Sequence, residues 1–294
     1  MQRRSFWHEK LSLLKTILHL SDLHFGRIDS ATLDPLLQAA REIRPDVVAI
    51  SGDLTQRARR GQFRQAREFL QRLPGALIVV PGNHDVPLYN VFARFVFPLA
   101  NYCRYISGDL EPFYADDEIA VVGINTAHSR TFKGGRVTRR QIAHLRERLC
   151  HVPPQITRIV VTHHPLDLPE AYEDKELAGR ARDTMEALVA CEADVLLSGH
   201  LHASHACGAT GRHQIRGHSA LIVQAGTATS TRGRKEPNSF NVIRVNRPRM
   251  DVARYSWVSE RAAFLLAENQ GFAHAPSGWQ PASPEASEPE IPAS

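Results

Sequence analysis

Five short apolar runs of the sequence are each followed directly by side chains that can bind a metal ion. The runs are residues 17–20, 47–50, 77–80, 158–162 and 194–198. The side chains that follow them are Asp22, His24, Asp53, Asn83, His84, Asp85, His163, His164, His200 and His202. One such residue at a strand end is ordinarily a turn or cap residue. Five strand ends that all carry them indicate one shared site, because ligands of α/β sheets bind beyond the carboxyl ends of the strands.

The types of these side chains fit a pair of divalent metal ions. Carboxylates, neutral imidazoles and a carboxamide bind Mn, Fe or Zn, and a set without thiolates disfavours a structural zinc site. A carboxylate can bridge two cations roughly 3.5–4 Å apart, and such a pair clamps both the attacking and the leaving oxygen of an in-line displacement. We expect Asp53 to be the bridge. The glycines that precede ligands, Gly52, Gly82 and Gly199, are predicted to let the backbone turn sharply.

The elements that must position these residues alternate between strand and helix. Helical patterns are predicted at 31–43, 61–72, 138–149 and about 182–191, between the five apolar runs and a further strand at 119–124. After residue 198 the pattern is all strand, at about 204–208, 219–225, 239–245 and 250–256. Alternation favours parallel strands and the closing meander favours antiparallel ones. We therefore predict an α/β fold, a four-layer α/β/β/α sandwich of two packed mixed sheets with helices outside.

The composition divides the chain into four segments. Residues 1–14 form a leader and residues 15–258 one domain, which contains a mostly helical, aromatic-rich cap insertion at 86–115. The aromatic side chains of the cap are suited to stack a nucleobase, to hold an acyl chain or to pack on the edge of the sheet. Residues 259–270 are a C-terminal extension. Residues 271–294 are predicted to be a disordered tail because Pro, Ser, Ala and Glu cannot build a core.

Cysteine content and the lack of targeting signals predict a cytoplasmic protein. The 294 residues carry a mild formal net charge of +5. The four cysteines, Cys103, Cys150, Cys191 and Cys207, show no C-x-x-C spacing, so reduced thiols are expected. The first residues contain no signal-peptide core, and no run approaches the ~18 apolar residues of a membrane span.

Taken together, the motifs resemble those of the calcineurin-like metallophosphoesterases. The resemblance covers about residues 15–256 and rests on Asp22-x-His24, Gly52-Asp53, Gly82-Asn83-His84-Asp85, His163 and Gly199-His200-x-His202. It implies one ion on Asp22, His24, Asp53 and His202, and a second on Asp53, Asn83, His163 and His200. It also implies that His84 faces the scissile phosphate and that Asp85 orients His84. His164 is left open between a structural and a substrate-facing role.

The resemblance further implies a phosphodiesterase that uses a metal-bridging hydroxide in an in-line attack, with His84 as the general acid. Protein phosphatases of this superfamily continue their motifs as G-D-x-x-D-R-G and G-N-H-E. Here the second motif reads Gly-Asp-Leu-Thr-Gln-Arg, and Asp85 replaces the Glu. The chain instead looks most like the bacterial class III cyclic-nucleotide phosphodiesterase branch. The expected partner is a small-molecule phosphodiester, cyclic nucleotides included, with no stable nucleic-acid partner.

Two other functions remain open from the sequence. One is the hydrolysis of a lipid-linked pyrophosphate or a glycerophosphodiester, with the cap as an apolar groove. The other is a non-catalytic scaffold that keeps only the fold and predicts neither metal nor turnover. Loop cations that could contact phosphate are Arg130, Lys133, Arg136, Arg232 and Arg234, although each alone is typical of a solvated surface.

Overall fold

The structure, a computed structural model, describes residues 14–131, 133–169, 172–208, 213, 219–231 and 236–284. The described strands are β1 (Lys15–Leu20), β2 (Val47–Ser51), β3 (Ala76–Val80), β4 (Phe113–Ala115), β5 (Ile119–Ile124), β6 (Thr157–Thr162), β7 (Val195–Ser198), β8 (His205–Gly208), β9 (Leu221–Gln224), β10 (Ser239–Asn246), β11 (Arg249–Val258), β12 (Ala263–Ala275) and β13 (Gly278–Ala282). The described α-helices are α1 (Leu33–Ile43), α2 (Arg60–Leu70), α3 (Val91–Val96), α4 (Ala100–Tyr105), α5 (Arg139–Leu149) and α6 (Ala181–Ala190).

The strands form two mixed sheets. The first has the order β13-β12-β11-β10-β1-β2-β3, and the second has the order β4-β5-β6-β7-β9-β8. Strands β1, β2 and β3 run parallel, and so do β5, β6, β7 and β9. The meander β10 to β13 is antiparallel, as are the pairs β4–β5 and β8–β9. The predicted mixture of parallel and antiparallel pairing is confirmed.

Alternate residues of each strand enter different hydrophobic clusters, and this makes the four layers. Ile17 and Val121 lie in the cluster between the two sheets. Their neighbours Leu18 and Val122 face the helices, Leu18 in a cluster with α1 and α2 and Val122 in a cluster with α5 and α6. A period of two residues sends successive side chains to opposite faces of a sheet. The predicted α/β/β/α sandwich is therefore confirmed.

The predicted aromatic cap divides into three parts. Helix α4 packs inward: Tyr102 is fully buried and donates a hydrogen bond from its hydroxyl to the Val79 carbonyl at 2.9 Å. Helix α3 lies on the surface with large apolar side chains exposed. The end of the segment is not helical, because residues 113–115 form β4, the edge strand that pairs with β5.

The prediction of disorder from residue 271 is wrong for residues 271–282, which lie in β12 and β13. Phe272 and Trp279 are buried in the cluster between the sheets. The Trp279 indole also donates a hydrogen bond of 2.9 Å to Asp194, which is buried beside β7. Two buried aromatic side chains stabilise this segment despite its polar composition. Residues 1–13 and 285–294 lie outside the described residues, so the leader and the last part of the tail remain expectations.

The expectation of four reduced cysteines is also wrong for one pair. Cys150 and Cys191 form a disulfide, while Cys103 and Cys207 are free thiols. Cys150 directly follows α5 and Cys191 directly follows α6, so the packing of two helix ends brings them together. Their separation of 41 residues gives no sequence signal for such a pair. Among the described helices, none has the length and apolar character that a bilayer span requires.

Candidate metal centre

The predicted site residues follow strands of both sheets and are connected by hydrogen bonds between the strand ends. The Asp22 amide donates to the Gly52 carbonyl at 3.1 Å, and the His24 amide donates to the Asp53 carbonyl at 2.9 Å. In the second sheet, the Gly199 amide donates to the His163 carbonyl at 3.1 Å. These bonds fix neighbouring strand ends relative to one another, so the side chains on them are held by rigid elements.

Two groups of buried or partly buried side chains occupy this edge. In the first, Asp22 Oδ1 lies 3.4 Å from His24 Nε2 and 3.2 Å from His202 Nε2. In the second, His163 Nε2 lies 3.1 Å from Asn83 Oδ1, and the His163 and His200 rings are 5.2 Å apart. Candidate ligand atoms within 4.8 Å of one another include those of Asp22, His24 and His202, and those of Asp22, Asp53 and His163.

Asp53 lies between the two groups. Its Oδ2 is 3.8 Å from His24 Nε2, and its Oδ1 is 3.5 Å from His163 Nε2. Oδ1 also accepts a 2.8 Å hydrogen bond from the His84 amide, which orients the carboxylate. Each oxygen of Asp53 therefore faces an imidazole of a different group.

Five of these residues have backbone conformations that side chains other than glycine rarely adopt. The φ angles are 53° at Asp22, 50° at His24, 52° at Asp53, 75° at His200 and 59° at His202. The left-handed region disfavours L-residues by roughly 1–2 kcal/mol each, and such strain persists at functional sites because the surrounding structure imposes it. The strand-end turns thus store strain at the positions that carry the proposed ligands.

The glycines next to the ligands serve two different purposes. Gly52 has a φ of +85°, so its predicted sharp turn is confirmed. Gly82 has an ordinary φ of −105°, and glycine is needed there because a side chain has no room. A Cβ atom at Gly82 would lie 2.1 Å from Asp53 Oδ1 and 2.3 Å from the Asp53 amide nitrogen. The carboxylate of Asp53 therefore sits where any side chain at position 82 would be.

The donor set fits transition-metal ions. Asp22 Oδ1 is buried and accepts no hydrogen bond from the described residues. It lies 3.2–3.4 Å from two imidazole nitrogens, and two ligands of one ion with bonds of about 2.0–2.2 Å are separated by roughly this much. A buried carboxylate oxygen without a hydrogen bond is unfavourable unless a cation compensates it. The residues present thus match a site for divalent metal.

Burial and neighbouring charges shift the pKa values of two of these residues, Asp22 and His163. Burial alone would raise the pKa of Asp22, but the imidazoles of His202 and His24 hold that pKa well below its usual range. Burial lowers the pKa of His163, so its imidazole is favoured in the neutral form. Its Nδ1 lies 2.7 Å from the Ser51 carbonyl, which fixes Nδ1 as the donor and leaves Nε2 with its lone pair.

The ring of His84 is held by a group that the sequence did not indicate. Its Nδ1 lies 3.0 Å from the Gln56 carbonyl oxygen, and the ring is partly exposed, 5.0 Å from the ring of His24. The expectation that Asp85 orients His84 stays a prediction. The Asp85 carboxylate accepts hydrogen bonds from the amides of Leu54, Thr55 and Gly82 and from the Thr55 hydroxyl. It joins the loop after β2 to the loop after β3, and burial raises its pKa to about 6.

Both ring nitrogens of His164 lie close to polar atoms of neighbouring loops. Its Nε2 lies 2.9 Å from the Lys133 carbonyl and its Nδ1 lies 2.8 Å from the Thr126 hydroxyl, so both ring nitrogens are engaged. Burial and the neighbouring rings of His163 and His200 set its pKa well below the usual range. The neutral ring packs 4.7 Å from His163 and 4.6 Å from His200 and supports both.

Glu176 is a carboxylate near the site that the sequence analysis missed. Its Oε2 lies 3.9 Å from His200 Nε2, and its side chain is about one third exposed. It lies in a short 3-10 turn, Asp174–Glu176, within a loop between β6 and α6 that shows no periodic pattern. Of the loop cations considered above, Arg130 and Arg136 line one cleft, while Arg232 and Arg234 lie outside the described residues.

Residues 15–204 match the family of calcineurin-like phosphoesterases. Because this match covers more than half of the chain, the chain belongs to that family. A dimetal phosphatase from Danio rerio shares the fold, with a TM-score of 0.61, 14% identity and coverage of 86% of this chain and 98% of that one.

Two bacterial phosphodiesterases are similar in sequence. The glycerophosphodiester phosphodiesterase GpdQ of Enterobacter lignolyticus is 31% identical over 54% of this chain and 60% of its own length. A cAMP/cGMP dual specificity phosphodiesterase of Mycobacterium tuberculosis is 26% identical over 78% of this chain and 75% of its own length. Their similarity confirms the predicted likeness to the bacterial class III phosphodiesterases. The match to the relative from Enterobacter lignolyticus spans less than two thirds of the length of that protein.

Proposed function

We propose that this chain is a dinuclear-metal phosphodiesterase whose ions are held at the edge described above. The observation that carries the proposal is the position of Asp53, with one oxygen 3.8 Å from His24 and the other 3.5 Å from His163. A single carboxylate between two groups of imidazoles is the arrangement that a bridging ligand requires. The ligands would be Asp22, His24, Asp53 and His202 for one ion, and Asp53, Asn83, His163 and His200 for the other.

The ions themselves would be Mn, Fe or Zn, to which carboxylate and imidazole donors are suited. When bound, they would lower the pKa of a shared water and withdraw charge from the oxygens of the phosphodiester. The protein's part is to hold the ligands in place. The left-handed turns at Asp22, Asp53 and His200 fix where the side chains leave the backbone.

His84 would act as the general acid that protonates the leaving oxygen. With Nδ1–H donating to the Gln56 carbonyl, Nε2 is the nitrogen that can give its proton to substrate. The partial exposure of His84 beside the buried His24 suits a group that meets both the metal centre and a ligand from solvent. Asp85 would be a positioning residue, since it fixes the loops that carry Asp53 and His84.

The substrate we propose is a small phosphodiester, with cyclic nucleotides as the first candidate. The relative from Mycobacterium tuberculosis, whose name gives cAMP and cGMP as substrates, supports this choice. A glycerophosphodiester is the second candidate, and the relative from Enterobacter lignolyticus supports it. Asp85 at the position where protein phosphatases carry Glu argues against a protein substrate.

The proposal is tested with metal-loaded protein and two diesters that differ in their leaving group. His84→Ala should lower kcat by roughly 10²–10⁴-fold on an alkyl diester such as cyclic AMP, because the alkoxide needs a proton to depart. It should lower kcat much less on bis-p-nitrophenyl phosphate, whose phenolate leaves without one. Metal content by mass spectrometry should stay at the wild-type value. Equal loss on both substrates, or none, would remove His84 as the acid.

The substrate class is tested with wild-type protein loaded with Mn. Turnover of cyclic nucleotides without turnover of glycerophosphodiesters supports the first candidate, and the reverse supports the second. Protein that binds no transition metal and turns over neither class would end the proposal and leave the non-catalytic scaffold.

A further inference from the structure

Helix α3 and the residues that flank it have a buried charged side chain and exposed apolar side chains. Arg94 is only 2% exposed. The exposed apolar side chains are Tyr89 (75% exposed), Val91 (64%), Phe92 (70%), Phe95 (53%), Val96 (48%) and Phe97 (60%), and these six residues are called the aromatic patch. Surface helices of proteins in water show the opposite pattern. A cluster of this kind marks a surface that contacts another apolar phase or molecule.

The patch is rigidly held. The Arg94 guanidinium donates hydrogen bonds to the carbonyls of Pro87, Ser129 and Thr131, at 3.0, 2.8 and 2.6 Å. The bonds to Ser129 and Thr131 tie α3 to the loop that follows β5, and the bond to Pro87 ties it to the segment that precedes the helix. The Asn90 side chain caps the helix by accepting from the Ala93 amide at 2.9 Å. Helix α3 is therefore anchored to the body of the protein, although its apolar side chains are not buried there.

A cleft of about 670 Å³ adjoins the patch and is strongly basic. Phe95 belongs to its wall, together with Arg130, Arg136, Arg139 and Arg180. None of the described residues that line this cleft is acidic. Burial and the charges of Arg136 and Arg130 lower the pKa of His128, which also lines it. These four arginines are called the arginine cleft. Arg180 lies 3.9 Å from the Asp183 carboxylate, and the four together still give the surface beside the patch an excess of positive charge.

The geometry points to an anionic lipid surface as the partner of the aromatic patch and the arginine cleft. Apolar side chains that enter the interfacial region next to cations that meet lipid headgroups are the two features of a peripheral membrane contact. Only Tyr89 in the patch carries a polar atom, whereas interfaces between soluble proteins are about as polar as the rest of the surface. A symmetric pairing of two copies would bring arginine clefts together, which like charges oppose.

The same surface leads to the metal centre. The Arg57 guanidinium lies 5.7 Å from the centre of the Tyr89 ring, and Arg57 follows Gln56, whose carbonyl holds His84. A membrane that contacts the patch would therefore lie beside the loop that positions His84. The inference concerns where the protein binds, and it stands or falls independently of the substrate of the metal centre.

The test is sedimentation of the full chain with vesicles of phosphatidylcholine alone and of phosphatidylcholine mixed with phosphatidylglycerol. Wild type should bind the mixed vesicles, and salt should weaken this binding. Phe92→Ser and Phe97→Ser should each weaken it about tenfold, because binding scales with the apolar area buried. Arg130→Ala and Arg139→Ala should each weaken it about fivefold. Phe113→Ser and Arg41→Ala, an exposed aromatic residue and an arginine on other surfaces, should leave binding unchanged.

Each other result overturns the inference. Absence of binding to the mixed vesicles at low salt does so directly. Binding that the arginine variants weaken but the phenylalanine variants do not would be electrostatic adsorption without the patch. Light scattering that shows an oligomer dissociated by Phe92→Ser, with no vesicle binding, would assign the patch to a second copy. Urea denaturation midpoints that match the wild-type value show that the phenylalanine variants are folded.

Discussion

The strand ends that carry the proposed metal ligands, called the metal edge, and the aromatic patch both depart from the usual burial of apolar and exposure of polar side chains. They do so in opposite ways. At the metal edge, polar side chains such as Asp22 and His24 are fully buried. At the patch, apolar side chains such as Phe92 are mostly exposed. Strands of both sheets hold the first, while the side chain of Arg94 anchors the second. Coordination demands exact placement of atoms and contact with a surface does not, so the two regions should respond differently to substitution.

The largest effect is expected at the residue between the two groups of the metal edge. Asp53→Asn keeps the size of the side chain and removes its charge, so it should lower kcat/KM on bis-p-nitrophenyl phosphate by about 10³-fold, several kcal/mol of lost stabilisation. Metal content by mass spectrometry should fall as well. Asp34→Asn, on the exposed face of α1, is the control and should change neither quantity. Full metal content with full activity in Asp53→Asn would show that Asp53 does not bridge.

Alanine substitutions at two glycines, Gly82 and Gly61, test how closely the metal edge is packed. Gly82→Ala places a Cβ atom 2.1 Å from Asp53 Oδ1, so Asp53 must move and activity should fall by at least about 10²-fold. Gly61→Ala, in α2, has no neighbour within 4 Å. It should raise the free energy of unfolding by up to about 1 kcal/mol, because alanine favours a helix over glycine. Kinetics and urea denaturation of both variants check this, and an active Gly82→Ala would contradict the tight contact.

The sequence indicated which residues share the metal edge but not how they are oriented. Apolar runs that end in Asp, Asn or His place those residues at strand ends, and parallel order brings the ends together. The left-handed turns at Asp22 and His200 follow from contacts between loops, which no local pattern encodes. The same is true of the Gln56 carbonyl beside His84, because every residue has a carbonyl and only the fold selects one.

The errors in the fold have a related origin. Composition suggested disorder after residue 271, yet burial of Phe272 and Trp279 decides the structure of that segment. The buried Trp279 donates its indole hydrogen bond to Asp194, which lies 85 residues earlier in the sequence. The Cys150–Cys191 disulfide likewise depends on the ends of two helices meeting. The pattern of residues within a short stretch of sequence predicts periodic strands and helices, but it does not predict contacts between distant segments.

Arg94, which anchors the patch, should affect activity less than the residues of the metal edge do. It should affect stability more than the exposed residues of the patch do. Arg94→Met leaves three carbonyls without their charged donor, and we expect the free energy of unfolding to fall by about 2–4 kcal/mol. Arg104→Met removes an exposed arginine of α4 and should change it by less than about 0.5 kcal/mol. Urea denaturation measures both. Equal stability of the two variants would mean that α3 is held by other contacts.

The smallest effect is expected in the patch. Phe92→Ser should change the free energy of unfolding in lipid-free buffer by no more than about 0.5 kcal/mol, because a side chain that is 70% exposed loses little burial. Phe63→Ala, at a fully buried ring of α2, should lower it by about 3–5 kcal/mol. Urea denaturation of both proteins gives the comparison. A large loss in Phe92→Ser would show that its ring packs within the protein in solution, and the patch would then lack the exposed side chain that a lipid surface needs. A negligible loss would mean that folding does not require phenylalanine at this position, so that its ring is free to contact a lipid surface.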